Sequence, residues 1–190
     1  MIDKLIEWDR SLFLFLNSKH FDWLDPFMLF FSSYGCWILA SLIMLTFIYI
    51  KQKRFRNLSS LFFIISIGAS ALFTNIIKII IARPRPIHNS EWENMIHAIE
   101  EYEKSYSFFS SHSATTFTMA VFFLLFFRQN KLYGIVAILW ATIVAYSRIY
   151  LAKHFPLDVF CGILFGTFIA IVGYRILIHI EKKKENALLS

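Results

Sequence analysis

Three short stretches of the chain concentrate side chains suited to handling an anion. The first holds Lys78, Arg83 and Arg85, the second Ser110, Ser111 and His112, and the third Ser147, Arg148, Lys153, His154 and Asp158. Arginine presents a planar fork of donors that matches phosphate oxygens, and lysine adds a compact charge. Cations gathered around a phosphoryl group stabilise the charge that spreads over its oxygens during transfer. The two histidines supply what the cations cannot. Asp158 follows His154 by four residues with Pro156 between them, and proline is favoured in the first turn of a helix. A helix starting near Pro156 lets Asp158 reach back to one imidazole nitrogen, fixing the tautomer and stabilising an imidazolium. The other nitrogen is then free to attack phosphorus and form a phosphohistidine. His112, from a separate stretch, is the candidate acid for the leaving oxygen. A divalent metal is the competing reading, because His and Asp are also ligands. Lys78, Arg85 and Arg148 would repel such an ion, so no metal and no other cofactor is expected.

These residues must be positioned by elements built for a bilayer. The 190 residues are 57% hydrophobic and include 22 Phe, with a mean hydropathy of +0.57. Soluble domains run nearer 45–50% apolar. The apolar residues gather into runs comparable with the ~20 needed to cross the hydrocarbon core. An all-α integral membrane protein is predicted, a single domain over residues 1–190 with five spans at about 26–50, 58–81, 108–127, 132–150 and 156–180. The third is short unless it starts near Phe108. Two surface helices accompany the bundle. Ile2 to Leu16 mixes Ile2, Leu5, Ile6, Trp8, Leu12, Phe13 and Leu16 with charges at helical spacing, which suits an interfacial helix. In the long loop after the second span, Ser90 and Glu93 have capping-box spacing. An amphipathic helix over Glu91–Lys104 is expected there, carrying Trp92, Met95, Ile96, Ile99 and Tyr102.

The formal charge of +6 would also suit nucleic acid, but the cations are clustered in short loops between apolar runs. Lys51, Lys53, Arg54 and Arg56 follow the first span, Arg128 and Lys131 the third, and Lys182, Lys183 and Lys184 the fifth. With five crossings all three clusters fall on one side, which the positive-inside rule makes the cytoplasm. The N-terminus is then outside, the C-terminus inside, and the three chemical stretches share the outer face. Cations there run against the charge rule, so a ligand must account for them. Cys36 and Cys161 lie in apolar runs, which argues against a disulfide framework. His20, His88, His97 and His179 stand apart from the constellation and read as structural or solvated. Asp3, Glu7, Asp9 and Arg10 interrupt any signal-peptide apolar core.

The spacing resembles the type 2 phosphatidic acid phosphatase family, integral-membrane relatives of acid phosphatases and vanadium haloperoxidases. Its first signature, Lys-x6-Arg-Pro, matches Lys78 to Arg85-Pro86. Its third, Ser-Arg-x5-His-x3-Asp, matches Ser147-Arg148, His154 and Asp158 with every spacing kept. The middle one, Pro-Ser-Gly-His, departs: Phe109-Ser110-Ser111-His112 lacks both the Pro and the Gly. The resemblance implies His154 as nucleophile, Asp158 as its orienter and His112 as general acid. It also implies Lys78, Arg85, Ser110, Ser111 and Arg148 on the phosphate, with Arg83 and Ser147 behind them, and no metal. It further implies a helical bundle with its site just beyond the membrane surface. The expected partners are the bilayer and a lipid phosphate, and compact bacterial members act on undecaprenyl diphosphate, phosphatidylglycerol phosphate or lipid A. A bacterial inner membrane with a periplasmic site is the matching location. Two other functions fit the same residues: a phosphotransferase that passes the phosphoryl group to a lipid hydroxyl, and a non-catalytic protein that binds or moves anionic lipids.

Overall fold

In a computed structural model, which describes residues 2–92, 95–99 and 104–189, the chain is helical and contains no strand among those residues. The helices are α1 (Ile2–Asn17), α2 (Asp25–Ser32), α3 (Tyr34–Lys51), α4 (Arg56–Ile81), α5 (Ser111–Phe126), α6 (Lys131–Tyr150) and α7 (Pro156–Leu189). Four of them, α3, α4, α6 and α7, are long and apolar enough to cross a membrane, and α5 is a shorter apolar helix. Large apolar side chains such as Leu39, Leu42, Leu72, Phe73 and Ile79 are exposed on these helices, as expected where lipid replaces water as the surrounding medium.

The central element is α5, buried from Ser113 to Phe123. At 16 residues it measures about 24 Å, short of the hydrocarbon core. Its neighbours are α7, α6, α4 and α3. The approach to α7 is close because α7 offers glycines. A Cβ on Gly166 would lie 2.1 Å from the Ala114 carbonyl oxygen, and one on Gly162 would lie 2.7 Å from that of Ser110. Small residues at four-residue spacing allow membrane helices to meet backbone to backbone. Thr118 uses the contact: its hydroxyl lies 2.9 Å from the Ala114 carbonyl and 3.1 Å from that of Gly166.

Some boundaries differ from the sequence expectation. The first apolar run, 26–50, is two helices. Ser33 between them is extended at φ −74°, ψ 148°, and its hydroxyl accepts from the Cys36 amide to cap α3. Serine side chains compete with helical hydrogen bonding in this way. The third run begins its helix at Ser111 rather than Phe108, because Ser110 serves as its N-cap. The last helix continues past 180 through the lysine cluster to Leu189. There Glu181 accepts from Ser59, and Glu185 pairs with Arg54.

The expected amphipathic helix over 91–104 is absent from the described part of that segment, which holds a 3-10 turn at Ser90–Trp92 and no regular structure at 97–99. Residues 93, 94 and 100–103 lie outside the described residues. The chain forgoes helix here because its groups have tertiary partners. Trp92 is buried against Phe13 and Phe155, and the His97 amide donates to Asn17 Oδ1 at 2.7 Å. Asn17 Nδ2 in turn donates to the Tyr150 carbonyl at 2.8 Å. That amide ties the end of α1 to the loop between α4 and α5 and to α6.

Helix α1 is amphipathic as expected, but its inward face is not simply apolar. Asp9, Phe13 and Asn17, four residues apart and so on one side of the helix, are all buried. Leu5, Trp8 and Phe15 remain exposed, and the buried face packs on α6 and α7.

Candidate active site

The site forms where α4, α5 and α6 end or begin on one side of the bundle. Helix α4 stops at Ala82, which is left-handed at φ 50° with its amide bonded to the Lys78 carbonyl. The Arg83-Pro84-Arg85-Pro86 sequence that follows cannot continue a helix. Lys78 therefore stays in the last helical turn, while Arg83 and Arg85 sit on the irregular segment beyond it. The third stretch is folded by one carbonyl. Arg148, in the last turn of α6, accepts through its backbone oxygen from the amides of Lys153 and His154 at 3.0 and 3.1 Å. Helix α7 then starts at Pro156, and Asp158 caps it by accepting from the Phe155 amide at 3.0 Å. The three-residue and five-residue gaps of the motif are the lengths of this cap and this turn.

A cavity of about 490 Å³ lies between these ends, lined by Lys78, Arg85, Ser111, His112, Arg148 and His154 together with Tyr34, Trp37, Ala71, Asn75, Ser105 and Thr115. Six residues anticipated from sequence are thus brought together from α4, α5, α6 and the loops that follow α4 and α6. Among the described residues, neutral acceptors help hold the three cations in place. Lys78 Nζ donates to the Tyr106 carbonyl at 2.7 Å. Arg85 donates to the Ser105 carbonyl at 2.7 Å through Nε and to the Lys153 carbonyl at 2.8 Å through Nη1. Arg148 donates to the Ser32 hydroxyl, which explains why the break between α2 and α3 matters here. Among the described residues no three His, Cys, Asp or Glu side chains converge as a metal site would require.

His154 is 1% exposed and engaged on both nitrogens. Its Nε2 lies 3.1 Å from Arg85 Nη1. Its Nδ1 lies 3.8 Å from Asp158 Oδ2, too far for a hydrogen bond. The Ser107 hydroxyl occupies the space between, 3.3 Å from Nδ1 and hydrogen-bonded to Asp158 Oδ2. Burial first, and then the charges of Arg85, Lys78 and Arg148, hold the His154 pKa well below the ordinary histidine value. Both causes favour the neutral imidazole over the imidazolium.

Behind it runs a chain of opposite charges. Asp158 Oδ1 accepts from Arg83 Nη1 at 2.6 Å, and Arg83 Nη2 donates to Asp9 Oδ2 at 2.7 Å. The other Asp9 oxygen accepts from the Leu157 amide at 2.8 Å. The Arg83 guanidinium also lies 4.0 Å over the Phe155 ring, a favourable cation–π placement. Arg83 thus stands behind Asp158 and is not among the cavity-lining residues.

Two anticipated residues face elsewhere. The Ser110 hydroxyl accepts from the amide and hydroxyl of Ser113, so it caps α5 and the lining holds Ser111 instead. Ser147 bonds back to the Val144 carbonyl at 2.7 Å. Asp9, Ser107, Tyr34 and Asn75 were not foreseen. Asp9 had a legible signal, since it lies one helical turn from Phe13 on a face otherwise apolar. Ser107 had none, being one serine among several in 105–113.

Membrane-length helices closing on a cationic, two-histidine cavity define an integral-membrane protein built to hold a phosphoryl group. The chain belongs to the PAP2 superfamily, whose model matches residues 59–180. A lipid A 4'-phosphatase of Porphyromonas gingivalis is 27% identical over 96% of this chain and 78% of its own. An undecaprenyl-diphosphatase of Sulfolobus acidocaldarius is 30% identical over 90% and 79%. The crystal structure of Aquifex aeolicus LpxE superposes with a TM-score of 0.71 at 27% identity, covering 87% of this chain and 93% of that one. The transmembrane PAP2-type phosphatidylglycerolphosphate phosphatase of Bacillus subtilis shares the fold with a TM-score of 0.73 at 20% identity, covering 95% and 87%.

Proposed function

We propose that this protein is a lipid phosphatase that removes phosphate through a covalent intermediate on His154. The observation that carries the reading is the buried His154 imidazole at the wall of a cavity that Lys78, Arg85, Arg148 and His112 also line. The substrate phosphate enters among the three cations, and Arg85 transfers its Nη1 contact from His154 Nε2 to a phosphate oxygen. The released Nε2 lone pair attacks phosphorus in line with the bond to the lipid oxygen. That P–O bond breaks, and His112, which takes up a proton once the anionic phosphate offsets the surrounding cations, gives that proton to the leaving oxygen. Water then attacks the phosphorus, His112 recovers a proton from it, and the P–N bond breaks. Inorganic phosphate leaves and His154 is neutral again.

A lipid is the proposed substrate because the cavity also has an apolar lining, Trp37 and Ala71, carried on bilayer-length helices. The relatives act on lipid A and on undecaprenyl diphosphate, and these are the first substrates to test. The loop charges support a cavity facing the periplasm, with the N-terminus outside and the C-terminus in the cytoplasm of a bacterial inner membrane. The purified protein, given lipid A, undecaprenyl diphosphate and phosphatidylglycerol phosphate in turn, should release phosphate from at least one. His154→Ala should release none above background, and His112→Ala should lose at least ~10²-fold in kcat. Wild-type turnover by His154→Ala would remove the covalent mechanism.

A further inference from the structure

We propose that Ser107 is a positioning residue that sets the tautomer of His154 and links its imidazole to Asp158. The inference rests on His154 acting as the nucleophile and concerns how it is kept competent.

Ser107 is fully buried, and its amide donates to the Arg83 carbonyl at 2.8 Å, so the hydroxyl is delivered from a fixed backbone. That hydroxyl has one proton and two acceptor lone pairs. Asp158 has the contacts of a carboxylate, accepting from Arg83 on Oδ1 and from the Phe155 amide on Oδ2 beside the serine. A carboxylate only accepts, so the single Ser107 proton goes to Asp158 Oδ2. The remaining contact, to His154 Nδ1 at 3.3 Å, must then have the imidazole N–H as donor. Nδ1 carries the proton and Nε2 carries the lone pair.

The opposite side of the ring gives the same answer independently. Arg85 Nη1 is 3.1 Å from Nε2, and a guanidinium can only donate. Nε2 is therefore an acceptor. Two unrelated partners select one tautomer, with its lone pair on the cavity side. When Nε2 bonds to phosphorus the ring becomes cationic. Its Nδ1–H then points into the Ser107 oxygen, whose proton is already committed to Asp158. The carboxylate at 3.8 Å acts on the imidazolium through this hydroxyl, with no net proton movement. Ser107 lies outside the three motifs that mark the other polar residues of the site.

The test combines kinetics with the 15N NMR spectrum of the histidine-labelled, full-length protein in lipid bilayers, with the His154 signal assigned by its loss in His154→Asn. The wild type should show Nδ1 protonated and Nε2 unprotonated. Ser107→Ala should lower kcat about 10²-fold, the lower end expected for disturbing an acid–base pair, and shift His154 toward a mixture of tautomers. Its affinity for inorganic phosphate, held by Lys78, Arg85 and Arg148, should stay within about twofold of wild type, since no cation is touched. Ser107→Thr, which keeps the hydroxyl, should recover at least tenfold of the loss. A wild-type spectrum with Nε2 protonated would overturn the proposal whatever the variants do. So would wild-type kcat in Ser107→Ala, or a loss of phosphate binding matching the loss of rate. Activity surviving in His154→Asn would instead overturn the nucleophile assignment on which the proposal stands.

Discussion

Asp9 offers a measurement of how far the N-terminal helix belongs to the catalytic centre. Its carboxylate is fully buried, paired with Arg83 at 2.7 Å and bonded to the Leu157 amide at 2.8 Å. Truncating one member of a buried ion pair costs about 3–5 kcal/mol, because the partner charge is left behind. Arg83 keeps Asp158 as a partner and has 19% of its side chain exposed, so the lower end, about 3 kcal/mol, is the expectation for Asp9→Ala. For a chain of this size each kcal/mol moves the unfolding midpoint by about 2–4 °C, which predicts a fall of about 6–12 °C. Asp9→Asn keeps an acceptor for the Leu157 amide and should be less severe by about 1 kcal/mol, the net value of that bond. Thermal unfolding in detergent reads both. The same variants should lower kcat about tenfold, because Arg83 no longer has two carboxylates fixing the orientation in which it holds Asp158. An Asp9→Ala protein melting within about 2 °C of wild type would refute the buried pair. Full activity with lowered stability would refute only its link to His154.

The depressed His154 pKa sets the acid limit of activity. The attacking form is neutral, so rate is lost as pH falls through the folded-state pKa, and the midpoint of the acid limb of kcat/KM should lie below about 6.5. Two substrates whose phosphates titrate differently separate this limb from substrate ionisation, and a shared midpoint at or above about 6.5 would contradict the burial and charge around the ring. Gly166→Ala places a methyl group 2.1 Å from the Ala114 carbonyl oxygen, forcing α7 away from α5. A destabilisation of about 1–3 kcal/mol is expected from such overpacking, with kcat falling as well because the N-terminus of α5 carries His112. Unfolding midpoints and phosphate release measure the two effects.

The class of the molecule was legible because bilayers impose a one-dimensional rule. Runs of apolar residues long enough to span, and cations sorted into alternate loops, are properties of sequence that need no tertiary information. The Arg148, His154 and Asp158 spacing was legible for a related reason: the turn and helix cap that fix it are local, closed by the Arg148 carbonyl and the Phe155 amide. The limits appeared where local rules met distant partners. Residues 91–104 had helical periodicity, yet the described part is held by Phe13, Phe155 and Asn17 instead. The run at 26–50 lacked a charge or proline to mark its break, and Ser33 ends one helix and caps the next.

The proposed nucleophile shows the same division. Its candidacy, and the family to which it points, rest on residue types and intervals along the chain. What holds its lone pair toward the cavity was not. The contact between His154 and Asp158 passes through Ser107, from a loop 47 residues away, and Asp158 is balanced through Arg83 by Asp9, 74 residues before that arginine. Hydrogen-bond direction depends on which groups end up within about 3 Å of one another. Sequence intervals determine that distance only within a turn or a helix, and across elements the packing of α1, α5 and α7 decides it.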